Sequence, residues 1–385
     1  FCRSSTVVRV DAFDFHSVEL PLARSLSLLG AESSVRCGLR LNIRCEGALA
    51  SSHILPLHSV HNENLAECIS ECHRLAGIIV GSFIDLSVID ADHLGLKFLE
   101  VRSLLPSVQY AFEHCLLQIA ALHNTKLRQL FKPVNTSIAG LWQPTSSNVN
   151  FAQDIDQGCR LFKVKIGRAS WSEEADLINR NLDMLPEHIR TNIVLRLDAN
   201  QSLKVQDMVA LLNAIDQKIE YIEEPFATWH EYEEFNALSD CPVAVDENLW
   251  SLTGFNSNDA QVNMMSENLS KLARIWILKP TRIGGISDCF RVASMGHAMG
   301  KTVILSSSYD SELLIASYGL LIRGLNLAES IHGFGTVFWY DMDNFNGAFK
   351  LDGFQAGLDP QRYHELLRLD QFGFGEEVQK PAEVR

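Results

Sequence analysis

From about Ile138 onward, short β-branched apolar runs alternate with stretches whose apolar residues recur every three or four positions. A strand followed by an amphipathic helix and then another strand returns the chain in the same direction, so this alternation calls for a parallel sheet built of βα units. Eight candidate strands can be read: SIAGLW, LFKVKIG, IVLRLDAN, IEYIEEP, PVAVDEN, RIWILKP, TVILSSSYD and LAESIHGFG, the last without a clean apolar run. Between them lie helical stretches such as SEEADLINRNLDML and VQDMVALLNAI. Eight such units in roughly two hundred residues fit an α/β fold of the (β/α)8 TIM-barrel type better than an open doubly wound sheet. No GxGxxG follows the first strand, which removes the usual dinucleotide reading.

Residues 1–132 read differently. The β-like runs VVRVDAFDFHSVEL and GLRLNIRCEGALA precede the helical stretches NENLAECISECHRLAGIIV and SVQYAFEHCLLQIAAL, which is an α+β unit. Lys132 followed by Pro133 marks the expected junction, because the residue before proline is pushed out of the helical region. The barrel is expected over 133–340. The remaining 341–385 segment reads as loop-rich around GAFKLDGFQAGLDP, with a short helical stretch after it, packing back on the N-terminal unit or the barrel.

The chain has 385 residues, 46% of them hydrophobic and 21% charged, with a formal net charge of −14. A phosphate polymer or an anionic membrane needs a basic face, so nucleic acid and membrane are not expected partners; an anionic small molecule remains compatible if lysines gather in one cleft. No apolar run reaches the roughly 18 residues of a membrane helix, and FCRSSTVVRV lacks the apolar core of a secretory signal. Nine scattered cysteines show no framework spacing, which points to a soluble protein of a reducing intracellular compartment. Cys68, Cys72 and His73 lie close together in LAECISECHRL, but no second pair completes a zinc site, and buried thiols are expected there. The absence of an initial Met suggests a segment of a longer polypeptide.

Charged residues end the candidate strands in a definite order: Lys163 and Lys165, Asp198, Glu223, Asp246, Lys279. Asp198 and Glu223 are 25 residues apart (198 to 223), and Glu223 and Asp246 are 23 apart (223 to 246), in each case one βα unit. C-terminal strand ends of a barrel converge on one mouth, so three carboxylates from consecutive strands can meet there and suit Mg²⁺, with Mn²⁺ as the alternative. Side chains alternate along a strand, so Lys163 and Lys165 share a side, and Arg196, Asp198 and Asn200 share another strand's side, with Arg196 one layer deeper. Glu223 and Glu224 point in opposite directions. Glu224 and Glu247 read as groups that hydrogen-bond the lysines or the ligands. Deprotonation next to a carboxylate needs a base that is neutral near pH 7, and a lysine beside other cations (Lys163, a bound Mg²⁺, Arg196) meets that need. Taken singly each motif is ordinary: a solvated lysine pair, an Asx turn at DAN, helix-start chemistry at EEP, a loop at DEN. Their order and spacing are what carry the reading.

With these residues, from KVKIG through LDAN, IEEP, VDE and KPTRIGG to SSSYDS, the chain resembles the enolase superfamily in its muconate-lactonizing-like branch, most closely the o-succinylbenzoate synthase family. A lysine base with Mg²⁺ is a known property of that superfamily. The resemblance implies a barrel with an N-terminal capping domain and Mg²⁺ held by Asp198, Glu223 and Asp246. It implies Lys165 as the base, with Lys163 and Lys279 as its electrostatic partners. The activity it implies is dehydration of 2-succinyl-6-hydroxy-2,4-cyclohexadiene-1-carboxylate to o-succinylbenzoate, a step toward menaquinone and phylloquinone. It further implies that the turn with Ser306, Ser307, Ser308, Asp310 and Ser311 holds the substrate's succinyl carboxylate, with Asp310 where Glu is usual. Where the family carries Gly-Glu in a capping loop that closes over substrate, this chain has Ser52 and His53. The distance from Asp246 to Lys279 exceeds one βα unit, and the polar GFNSNDAQVNMMSEN stretch between them is expected to be a surface loop. The N-terminal half looks like the plant and algal form, which implies fusion to other quinone-pathway enzymes and a plastid location. N-acylamino-acid racemase, dipeptide epimerase and muconate cycloisomerase share the same site. A non-catalytic barrel module of a fusion is the alternative from another class.

Overall fold

The computed structural model describes residues 7–28, 31–58, 60–86, 104–144, 149–246, 249, 268, 272–341 and 347–361. Strands β1 (Val7–Leu28), β2 (Ala31–Cys45), β3 (Ala48–Ile54) and β4 (Phe83–Asp85) form an antiparallel sheet in the order β3-β2-β1-β4. The run GLRLNIRCEGALA is divided between two strands. Glu46 and Gly47 both take positive φ (49° and 82°), the backbone that a two-residue hairpin turn requires, and Cys45 pairs with Ala48 across it.

Helices Leu65–Ile79 and Pro106–His123 pack on this sheet. The second is buried along almost its whole length because it also meets the helices Pro280–Ile283 and Ile286–Ala298 of the barrel. A helix covered on nearly every side sits between two layers, and this one joins the two parts of the molecule, its buried polar side chains finding partners such as Ser52 for His114 and Ser287 for Glu113. Cys68 and Cys72 are fully buried in helix Leu65–Ile79, where burial pushes both thiols up to about 12. They pack as apolar side chains.

Strands β5 (Val134–Ile138) and β6 (Gly140–Trp142) begin the barrel, followed by β7 (Leu161–Lys165), β8 (Val194–Asp198), β9 (Lys218–Glu223), β10 (Val243–Val245), β11 (Ile275–Leu278) and β12 (Thr302–Leu305). From β6 to β12 they pair in parallel in chain order. The eighth position belongs to β13 (Ile331–His332), which pairs in parallel with β5. On its other side Ser306 bridges Gly333, Gly333 N donates to Leu305 O (2.8 Å) and Ser307 N donates to Gly333 O (3.1 Å). Ala139 N donates to His332 O (2.9 Å), so the circle closes through these bonds. The short β13 is the strand that lacked an apolar run, because two residues and a glycine complete the seam. Inside, Tyr221, Ala244, Ile275, Ile277 and Ile304 form an apolar plug.

The expectation of a loop-rich segment after Asp341 is corrected. GAFKLDGFQAGLDP forms a hairpin of β14 (Phe349–Asp352) and β15 (Gln355–Leu358), and β15 pairs antiparallel with β5. Asp352 and Gly353 supply a turn signal, with Gly353 at φ 58°. The helical stretch expected beyond residue 361, the polar 254–268 stretch apart from Asn268, and Glu247 all lie outside the described residues. No helix among the described residues is long and apolar enough to cross a membrane.

Candidate active site

The C-terminal strand ends open into a cavity of about 910 Å³ beneath the N-terminal sheet domain, which contributes Leu26 and Val60 to its lining. Five cations line it, Lys163, Lys165, Arg168, Lys279 and Arg282, together with Ser306, Ser307, Ser308, Tyr309 and Thr336; no carboxylate is among the described lining residues. The acids lie directly beneath. Asp198, Glu223 and Asp246 are 1%, 2% and 4% exposed, each at or just past the end of its strand.

Period-two alternation and parallel register put Lys165, Asp198 and Glu223 in one row across β7, β8 and β9. Lys163 Nζ reaches up from one layer below and lies between two acids, 2.7 Å from Asp198 Oδ2 and 2.6 Å from Glu223 Oε1. Lys165 Nζ contacts Asp198 Oδ2 (2.5 Å) and donates to Asn200 Oδ1 (2.6 Å). Across the mouth Lys279 pairs with Asp246, with Arg282 Nη1 at 3.9 Å from the same carboxylate.

The two neighbouring lysines are driven apart electrostatically. For Lys163, burial disfavours the charge, but Asp198, Glu223 and Asp246 outweigh it and hold the ammonium well above its usual range. For Lys165, burial and then the adjacent Lys163 charge lower it. Burial pushes Glu223 up to about 7, with Asp198 and Asp246 adding to the rise and Lys163 opposing it. Asp198 is held below its usual range because Lys163 and Lys165 overcome its burial.

Three hard carboxylate donors on adjacent strand ends fit an oxygen-seeking dication, which would offset the burial that chiefly raises Glu223 and the repulsion from Asp198 and Asp246 that adds to it. Among the described residues no three donors surround one point, since the Lys163 ammonium lies where Asp198 and Glu223 face each other. The donor type suits Mg²⁺, while in this structure the lysines take the places beside the acids.

The remaining expected residues take varied places. Glu224, at φ 43° and fully buried, turns away from the cavity and accepts from Asp246 N (2.6 Å) and Gln201 Nε2 (3.1 Å), fixing the backbone that carries Asp246. Arg196 does lie a layer deeper, but it is not among the cations that lower Lys165. A register shift beside it leaves Glu220 as the extra residue of β9, and Arg196 Nε pairs with that carboxylate (2.7 Å) while Nη1 donates to Ile331 O (2.8 Å). With its own counter-ion, Arg196 braces the seam strand.

Asp310 and Ser311 are not among the cavity-lining residues. Asp310 is fully buried and accepts from Tyr318 Oη (2.6 Å) and Ser308 N (2.9 Å), while Ser311 caps the helix Glu312–Gly324 and meets His53 Nδ1 (2.8 Å). Ser52 and His53 do not form a loop over substrate; they lie on β3, where Ser52 Oγ meets His114 Nδ1 (3.1 Å). Ser308 Oγ is buried with no hydrogen-bond partner and belongs to the cavity wall.

Sequence reasoning missed Arg168, Arg282, Tyr309, Thr336 and Trp339 as cavity residues. Arg282 carried a signal in its place three residues after Lys279, at the start of a helix. Arg168 and Trp339 carried none.

Fold and site together define a barrel enzyme class with acids and lysines on successive strand ends. The chain belongs to the enolase superfamily: the enolase C-terminal domain-like family matches residues 148–355. It is 24% identical over 262 residues to an o-succinylbenzoate synthase of Aliivibrio fischeri, covering 67% of this chain and 74% of that protein. It is 22% identical over 331 residues to an o-succinylbenzoate synthase of Aliivibrio salmonicida, covering 85% of this chain and 90% of that one. Among solved structures, a dipeptide epimerase of Enterococcus faecalis complexed with Mg and the dipeptide L-Leu-L-Tyr superposes with a TM-score of 0.72 over 91% of this chain and 97% of that chain, at 15% identity. That likeness speaks to the fold.

Proposed function

We propose that the protein is an o-succinylbenzoate synthase, a lyase that dehydrates 2-succinyl-6-hydroxy-2,4-cyclohexadiene-1-carboxylate. The observation that carries the reading is the cavity itself: lysines on opposite walls, three acids beneath, and five cations with no carboxylate among the described lining residues. Such a lining selects an anionic small molecule. Relatives bearing this activity's name support the choice among superfamily reactions.

Asp198, Glu223 and Asp246 would hold Mg²⁺, with Mn²⁺ as a substitute, and the ion supplies charge stabilisation for the dianion formed when the α-proton leaves. Lys165 removes that proton from one side of the ring and returns it to the departing hydroxyl. Lys279 faces the substrate from the opposite wall and balances charge, while Lys163, which also lines the cavity, would help hold the substrate's carboxylate. The Ser306–Ser308 wall would receive the succinyl carboxylate; the hydroxyls of Ser306 and Ser307 are held in this structure by Gly333 O and Thr336 Oγ1, and the Ser308 hydroxyl is buried behind the wall. A quinone pathway, covalent fusion to other enzymes of that pathway and a plastid location belong to the same reading.

The test is o-succinylbenzoate formation by the purified protein, with and without chelator. Formation that stops with chelator and returns with Mg²⁺ is expected. A second reading, N-acylamino-acid racemase or dipeptide epimerase, is favoured by Lys165 and Lys279 both lining the cavity, as two-sided proton transfer needs. Exchange of the α-proton of such substrates in deuterated water, without any dehydration, would select it.

A further inference from the structure

The wall formed by residues 306–309 ends in Tyr309, whose φ is 57°. A residue with a Cβ stays in this left-handed region only where its surroundings hold it. Two donors hold the Tyr309 carbonyl: Tyr340 Oη at 2.6 Å and Arg36 Nε at 3.3 Å. The Tyr309 ring then stands edge-on to Trp339, with centroids 5.5 Å apart, and both line the cavity.

Arg36 comes from β2 of the N-terminal sheet and is 4% exposed. Its Nη2 donates to Leu55 O (2.5 Å) and its Nη1 to Pro56 O (3.0 Å), so one buried guanidinium joins the chain just past β3 to the barrel turn. It is not among the residues lining the cavity. The other end of the turn is fixed from within the barrel, where Asp310 takes Ser308 N and Tyr318 Oη. The wall is thus pinned from the barrel side through Asp310 and Tyr340 and from the N-terminal domain through Arg36. A guanidinium suits the second task because its planar fork holds five donors in fixed directions toward carbonyls on different segments, whereas an ammonium gathers three donors at one point on a flexible stem.

We propose that Arg36 is a positioning residue: it couples the seating of the N-terminal domain to the Tyr309 wall, and so sets how tightly the anionic substrate is held without touching it. This rests on the cavity being the substrate site proposed above.

Arg36→Met, Arg36→Lys and Tyr340→Phe test it, the last removing one hydroxyl and leaving the ring packed in place. In variants shown by melting to be folded at the assay temperature, KM and the calorimetric Kd for o-succinylbenzoate are expected to rise about tenfold for Arg36→Met and Tyr340→Phe, the scale of a lost hydrogen bond. The kcat stays within about threefold, Arg36→Lys recovers part of the loss, and the double variant falls short of the product of the singles because both act on one carbonyl. Unchanged KM and Kd in folded variants, or a loss confined to kcat, would overturn the proposal. Should the wild type make no o-succinylbenzoate, the functional reading falls instead. The same comparison is then run on α-proton exchange with racemase substrates, where an unchanged KM overturns the role of Arg36 and a raised KM sustains it.

Discussion

Lys165 and Lys163 are two residues apart on one strand, yet their surroundings push them in opposite directions. Lys163 is held charged by three acids, and Lys165, buried beside that charge, is the easier ammonium to deprotonate. Lys165→Ala is therefore expected to cut dehydration by about three orders of magnitude. Its Mg²⁺ affinity, read by calorimetry, should stay within about threefold, because the lysine is not a ligand; parallel loss of both would count against this division of roles. Glu224 acts through Asp246. Glu224→Ala leaves Asp246 N and Gln201 Nε2 without their acceptor, and Mg²⁺ affinity and activity should both fall about tenfold to a hundredfold, with wild-type affinity as the contrary result. Acids and lysines at strand ends were readable from sequence because alternation and unit length fix where such side chains point. Tyr309 and Arg168 were not, since they lie in turns whose direction is set by side-chain bonds, from Arg36 and Tyr340 for Tyr309 and to Glu174 for Arg168, that no period records.

The turn after β7 shows how an element keeps its end in place. Glu174 accepts from Gly167 N (2.9 Å), Arg168 N (2.8 Å) and Ala169 N (3.3 Å), which brings Arg168 to the cavity rim. Gly167 has φ 81°, and a Cβ there would overlap the Ser202 side chain. Gly167→Ala is expected to cost about 1–3 kcal/mol in urea denaturation, from backbone strain and the displaced Ser202 together. A variant as stable as the wild type would show that the turn can relax. Long amphipathic helices and most barrel strands were legible from their periods, as was the N-terminal sheet. The hairpin of β14 and β15 was not, because its strands are four residues each and gain their place through the pairing of β15 with β5, more than two hundred positions away.

Two buried histidines make the stability of the whole molecule sensitive to acid. His61 Nδ1 accepts from Leu57 N (3.1 Å) while its Nε2 faces Thr281 Oγ1 (3.3 Å), joining the N-terminal domain to the barrel. His332 Nδ1 accepts from Leu305 N (3.1 Å) and its Nε2 faces Leu327 O (3.2 Å), at the barrel seam. In both, a backbone N–H occupies the lone pair that a second proton would need. Burial lowers each to about 3, below the ordinary 6.5. Between these values the unfolded chain binds more protons than the folded one, so this stability is present above about pH 6.5 and is lost as pH falls toward 3, by up to about 1.4 kcal/mol per pH unit per histidine. Glu113, pushed up to about 7 by burial, works in the opposite sense, so comparison of variants isolates the histidine. His61→Gln should flatten the dependence of unfolding free energy on pH between 6.5 and 5 by about one proton; an unchanged slope would show that His61 does not titrate there. The sequence by itself determined the barrel and the order of its acids and lysines, because hydrophobic period and strand-end position are local properties. The tertiary structure alone decided which cation neutralises which acid, how a two-residue strand closes the barrel, and how Arg36 and His61 bind the two domains, because those contacts join residues whose proximity no local pattern records.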